Sequence, residues 1–208
     1  MFLQALNSNG LVAILRGLRP QEAPAIGEVL YEAGFRVIEV PLNSPSPFDS
    51  ISLLRRSLPA DCLVGAGTVL QPAQVQQVKD AGGQLIVMPH SDAAVLRAAK
   101  AAGLFLSPGV ATPTEAFAAL AEGADVLKLF PAEQMAPAVV KAWLAVLPAG
   151  TVLLPVGGIT ADNMQPWLDA GARGFGLGSG LFKPGMSAAE VASHAQAYVA
   201  AWARSSAA

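Results

Sequence analysis

Eight short apolar runs recur along the chain: LVAILRG (11–17), RVIEVPL (36–42), LVGAGTV (63–69), LIVMPH (85–90), LFLSPGV (104–110), VLKLFP (126–131), VLLPVGG (152–158) and GFGLGSG (174–180). They start every ~20–28 residues, a spacing that fits one strand, one helix and two short loops. The stretches between them, such as PAQVQQVKDAG, DAAVLRAAKAAG and TPTEAFAALAEG, carry helical apolar spacing. Several end at Gly34, Gly82, Gly103, Gly123 or Gly171, where a helix C-cap is expected. Near-continuous apolar strands alternating with amphipathic helices predict parallel strands covered on both faces. Eight such units, with no linker or low-complexity tract between them, predict an α/β fold: a single (β/α)8 TIM barrel over residues 1–208. A doubly wound open sheet is the alternative, and it ranks lower because no G-x-G-x-x-G follows the first strand.

Side chains of such a strand alternate between the lumen and the helix layer. On the sixth run Leu127 and Leu129 face the helices, which sends Val126, Lys128 and Phe130 inward. On the second run Ile38 and Val40 face out, leaving Val37 and Glu39 inward. Second and sixth strands are opposite in a ring of eight, so Glu39 and Lys128 face each other across the lumen. Arg16 ends the first run and Thr68 the third, where Gly65, Ala66 and Gly67 leave room. Arg16, Glu39, Thr68 and Lys128 are therefore expected to converge at the C-terminal ends of the strands, where barrel active sites lie.

Each residue also has a plain reading. Lys128 at a strand edge could run its ammonium out to water. Glu39 and Lys128 could be a buried ion pair, a poor device for adding stability. Arg16 could be a surface loop residue, and Thr68 an ordinary β-branched strand residue. The sharper reading is that burial lowers the Lys128 pKa and turns its amine into a nucleophile.

The stretch P-V-G-G-I-T-A-D-N closes the seventh run and opens a helix. Val156 precedes Gly157 and Gly158, which let backbone approach an anion, and Thr160 or Asp162 can cap the helix. After the eighth run comes G-L-G-S-G-L-F, with Gly178, Ser179 and Gly180. Loops after the seventh and eighth strands often form the phosphate site of a barrel, so a phosphorylated small molecule is the expected substrate.

Composition narrows the classes. The chain is 53% hydrophobic and 13% charged with mean hydropathy +0.46, which implies extensive burial rather than disorder. A net charge of −2 and no basic cluster beyond Arg55–Arg56 argue against nucleic acid. Cys62 is the sole cysteine, which excludes an internal disulfide and a multi-cysteine metal site. The N-terminal MFLQALNSNG lacks a basic signal-peptide region. The uncharged stretch 142–161 is broken by Pro148, Gly150, Pro155, Gly157 and Gly158, so no membrane span is expected and the cytoplasm is the expected location. A metal-dependent phosphosugar enzyme needs clustered ligands, and His90 and His194 fall on separate elements.

The motifs AILRG, EVPLNSP, VGAGTVL, LIVMPH, SPGVATPTEA, LKLFPAE, VGGIT and GLGSGLF, in this order, span almost the whole chain. Together they resemble the bacterial class I aldolases of the KDPG/KHG family, which cleave 2-keto-3-deoxy-6-phosphogluconate or its galactonate epimer. The resemblance implies a trimeric (β/α)8 barrel needing no metal or other cofactor. It puts Lys128 at the Schiff-base position and Glu39 at the general acid/base position. Arg16, Gly157, Gly178 and Ser179 match substrate-binding positions, with Thr68, Phe130, Val156 and Gly158 as further contacts. The implied substrate is a phosphorylated 2-keto-3-deoxy sugar acid, and the products are pyruvate and glyceraldehyde 3-phosphate.

Gluconate-type members read E-V-T-L-R-T and P-T-G-G, whereas galactonate-type members look like E-I-P-L-N-S-P and A-V-G-G. This chain, with E-V-P-L-N-S-P and P-V-G-G, is similar to the galactonate type, the gluconate epimer remaining the alternative substrate. Val156 in place of a hydroxyl changes what can meet a substrate hydroxyl at C4. Asn43 in place of the gluconate-type arginine leaves Arg16 as the guanidinium of the site, with either the carboxylate or the hydroxyl chain as its target. A phosphosugar-binding protein without turnover is the rival outside enzymology.

Overall fold

The computed structural model describes residues 2–206. Its strands are β1 (Leu11–Ile14), β2 (Val37–Pro41), β3 (Leu63–Gly67), β4 (Leu85–Val87), β5 (Phe105–Ser107), β6 (Gly109–Val110), β7 (Leu127–Leu129), β8 (Leu153–Pro155) and β9 (Phe175–Leu177). All pairings are parallel, in a six-stranded sheet ordered β5-β4-β3-β2-β1-β9 and a three-stranded sheet ordered β6-β7-β8. Seven of the expected strands are recovered singly, and the fifth run divides at Pro108. Proline has no N–H to give a ladder, and there the chain turns from β4 towards β7: the Ser107 carbonyl accepts from Met88 N, whereas the Pro108 carbonyl accepts from Lys128 N. A parallel bridge between Val156 and Gly176 links the two sheets on the other side.

Eight helices, α2 (Ala23–Glu32), α3 (Pro47–Ser57), α4 (Pro72–Asp80), α5 (Ala93–Ala101), α6 (Pro113–Ala121), α7 (Ala138–Leu144), α8 (Met164–Asp169) and α9 (Ala188–Ser206), follow the strands. Their ends obey local chemistry. Asp92 accepts from Ala94 N and Val95 N at the start of α5, and Thr112 and Glu115 form a capping box at α6. The predicted glycine stops Gly34, Gly82, Gly103, Gly123 and Gly171 all hold φ between 74° and 109°, a region that a Cβ penalises. Among the described residues no helix is long and apolar enough to cross a membrane.

Strand alternation splits the buried apolar residues into two layers. Ile38, Val40, Leu127 and Leu129 join the helices in the outer layer, and Val12, Val37, Leu85, Val126 and Leu154 fill the inner one. Trp143 and Trp167 are buried in the outer layer. An N-terminal helix that the periodicity does not predict, α1 (Phe2–Leu6), brings buried Phe2 into the inner layer. Its ring meets Phe105 at 5.7 Å.

Candidate active site

β7 carries Lys128 into the inner layer, leaving the residue 7% exposed with its Nζ 4.7 Å from the Phe130 ring centroid. β2 carries Glu39 inward, 1% exposed. Both line a cavity of about 10 Å³ together with Ser107 and apolar side chains that include Phe2, Val12 and Leu85. That is room for about one water molecule.

This surrounding drives both groups towards their neutral forms. Burial pushes the Glu39 carboxyl up to about 7, against the opposing pull of the Lys128 and Arg16 charges. Burial pushes the Lys128 ammonium below the usual lysine value; Glu39 opposes this and Arg16 adds to it. The two are not joined as an ion pair, unlike Arg19–Glu22, Arg36–Asp61 and Arg97–Glu122. Glu39 Oε2 is buried without a hydrogen-bond partner. A salt bridge kept for structure would hold the carboxyl low and the ammonium high, which is the reverse of both shifts. The carboxyl fits only because β3 has Gly67 alongside it, where a Cβ would overlap the Glu39 carboxylate.

Above the small cavity opens a cleft of about 540 Å³ whose lining includes Arg16, Phe130, Gly157, Gly158, Gly178 and Ser179. Lys128 and Val156 line both spaces and so form the floor of the cleft. Gly157 and Gly158 hold φ of 104° and 68°, which L side chains rarely adopt. Their loop is braced by Asn163, which accepts from Thr160 N at 2.9 Å and donates to the Gly158 carbonyl at 2.8 Å. Thr160 and Asp162, expected as caps, are not at the N-cap: α8 starts at Met164, and Asn163 before it makes no side-chain capping hydrogen bond, its amide being used within the loop. Glycine amides with the cations Arg16 and Lys183 outweigh Glu133, the one carboxylate among the described residues of the lining, so the cleft favours an anion.

Of the expected site residues, Arg16, Lys128, Phe130, Val156, Gly157, Gly158, Gly178 and Ser179 line the cleft, and Glu39 lies beneath it. Thr68 lines neither space. Its φ of 55° ends the alternation begun by Ala66, which itself lies in the outer layer. Sequence reading missed Ser107, although its parity with Phe105 points it inward, and Glu133, the last residue of LKLFPAE. Among the described residues no group of three His, Cys, Asp or Glu side chains comes together as a metal site.

Comparisons place this geometry among known proteins. The family model for KDPG and KHG aldolase matches residues 3–197. A probable 2-dehydro-3-deoxy-6-phosphogalactonate aldolase of Rhizobium meliloti (strain 1021) is 50% identical over 92% of this chain and 91% of its own. The 2-dehydro-3-deoxy-6-phosphogalactonate aldolase of Escherichia coli (strain K12) is 45% identical over 92% and 94%. A solved structure described as native KDPGal superposes with a TM-score of 0.93 at 43% identity, covering 95% of this chain and 96% of that one. With the matched motifs, the inward lysine and glutamate, and the glycine-lined cleft in agreement, the chain belongs to the KDPG and KHG aldolase family.

Proposed function

We propose that the protein is a class I aldolase that cleaves 2-dehydro-3-deoxy-6-phosphogalactonate to pyruvate and glyceraldehyde 3-phosphate through an iminium on Lys128. The observation that carries this reading is a buried lysine and a buried glutamate held in one apolar cavity without an ion pair, beneath a glycine-lined cleft, with burial favouring the neutral form of each. Neutral Lys128 attacks the C2 ketone. One amine proton and the Glu39 proton leave with the ketone oxygen as water, which converts the neutral pair into an iminium facing a carboxylate. Glu39 is then the base for the C4 hydroxyl proton, and the C3–C4 electron pair flows into the iminium as the aldehyde departs. Glu39 returns that proton to C3 of the enamine, and hydrolysis restores amine and acid.

The same reading treats the two sheets as one (β/α)8 ring, with β5 and β6 as a single strand interrupted at Pro108 and the Val156–Gly176 bridge as the closure. It extends to a homotrimer in the cytoplasm. Leu70, Phe117 and Val146 are exposed on the single chain, as surface covered by a neighbour would be.

Val156 gives the epimer preference a physical basis, since it faces the reacting centre from the cleft floor with no hydroxyl. Assay of both 6-phosphosugar acids is expected to give a higher kcat/KM for the galactonate epimer. Val156→Thr is expected to narrow the ratio by about tenfold, one side-chain contact's worth of discrimination. A wild-type enzyme that prefers the gluconate epimer overturns the assignment.

Gly67 offers a test of how closely the acid must be placed. Gly67→Ala puts a methyl where the Glu39 carboxylate lies, and a displacement near 1 Å costs about 100-fold in rate. The expected result is a loss of that order in kcat with the fold retained by circular dichroism; unchanged kcat would show that the Glu39 position does not matter.

A further inference from the structure

The motif E-V-P-L-N-S-P contributes Glu39 to the lower cavity, and its last polar residues, Asn43 and Ser44, bond the loop that carries Arg16. Arg16 follows β1 as an exposed side chain, and a free arginine has much rotamer entropy to lose on meeting a ligand. Here its Nη1 donates to Asn43 Oδ1 at 2.7 Å. The next residue on each loop repeats the tie: Gly17 N donates to Ser44 Oγ at 2.9 Å, and Ser44 is 7% exposed. Gly17 holds φ of 83°, so the chain turns sharply directly after Arg16. The loop after β2 thus fixes both the side chain of residue 16 and the backbone of residue 17, across 27 positions of sequence.

One Nη1 hydrogen bond to a neutral acceptor leaves the guanidinium charge unneutralised and its remaining donors free for the anionic substrate in the cleft. An acidic partner would have cancelled that charge. Arg16 also acts on the reacting pair at a distance, since its charge lowers the pKa of both Glu39 and Lys128.

Resting on the aldolase reading above, we infer that Asn43 is a positioning residue: its side-chain carbonyl pre-orders the Arg16 guanidinium over the cleft so that it meets the anionic substrate without reorganising. The advantage belongs to binding, because an arginine already held in place loses less freedom when the substrate arrives.

The test is a double-mutant cycle of Asn43→Ala and Arg16→Ala, with kcat and KM measured on the phosphorylated keto acid. Asn43→Ala is expected to raise KM about tenfold with a much smaller change in kcat, the scale of one hydrogen bond to a charged group. In the Arg16→Ala background the same substitution is expected to change KM less than about twofold, because its target is gone. Asn43→Gln, which keeps the carbonyl acceptor, is expected to recover part of the KM. Additive effects, or an unchanged KM in Asn43→Ala, overturn the inference. A fall in kcat and melting temperature together with the rise in KM, without recovery in Asn43→Gln, also overturns it by making Asn43 a structural residue of the loop. Pyruvate with borohydride on the wild-type enzyme separates the two readings: no adduct on Lys128 defeats the aldolase assignment itself, whereas an adduct with an additive cycle defeats only the role of Asn43.

Discussion

Lys128→Ala is expected to lower kcat by at least about 10⁴-fold, the scale on which nucleophile removal acts in enzymes that form covalent intermediates. The reason is electronic. Without an iminium at C2, the electron pair of the breaking C3–C4 bond has no acceptor, and among the described residues no other amine lines the lower cavity. Intact mass after pyruvate and borohydride should show one pyruvate-derived adduct in the wild type, mapped to the peptide containing Lys128, and none in Lys128→Ala. Lys128→Arg should be equally inactive, because a guanidinium stays protonated and cannot attack a ketone.

Stability gives this prediction a second edge. If Lys128 were half of a structural ion pair, its removal would cost about 3–5 kcal/mol by stranding the Glu39 charge. With Glu39 pushed up to about 7 and Lys128 pushed down, removal strands nothing. Lys128→Met should therefore melt at or above the wild-type temperature near pH 6. A melting temperature lowered by many degrees, with turnover retained, would restore the ion-pair reading and end the covalent one.

What the sequence made legible follows the physics of each element. Lys128 and Glu39 stood out because a charged residue at an inward parity of an apolar strand has few structural uses, and period-two alternation survives folding well. The glycine stops were readable because a left-handed backbone strongly favours that residue. The turn at Thr68 was not legible, because a positive φ at a β-branched residue leaves no mark in the hydrophobic pattern, and one such residue ends the alternation. The split of the fifth strand followed from Pro108, visible in the letters, but the change of partner strand there is a tertiary event. The Arg16–Asn43 contact joins two loops 27 residues apart, and spacing rules do not reach that far. α1 escaped because five residues are too few for a helical period to register.

Glu39→Gln carries the second large effect. Glutamine keeps the shape and removes the proton, so turnover should fall by about 10²–10⁴-fold, the usual contribution of a positioned acid/base. Pyruvate adduct formation should survive at a slower rate, since Lys128 remains. The pH behaviour separates loss of a base from loss of a shape. In the wild type the cleavage step needs Glu39 as carboxylate once the iminium has formed, so kcat should fall at acid pH, and the iminium charge facing the carboxyl places that limb below the value of about 7 held in the free enzyme. Glu39→Gln should lose that limb. Adduct formation should shift in the opposite sense to a simple loss of activity. The Glu39 charge raises the Lys128 pKa, so deleting it lowers that pKa further and makes neutral amine available at lower pH. The adduct-rate profile of Glu39→Gln should therefore move to lower pH than that of the wild type. A shift to higher pH would mean that the Glu39 charge does not raise the Lys128 pKa, and the acid limb would then need another owner in the cleft.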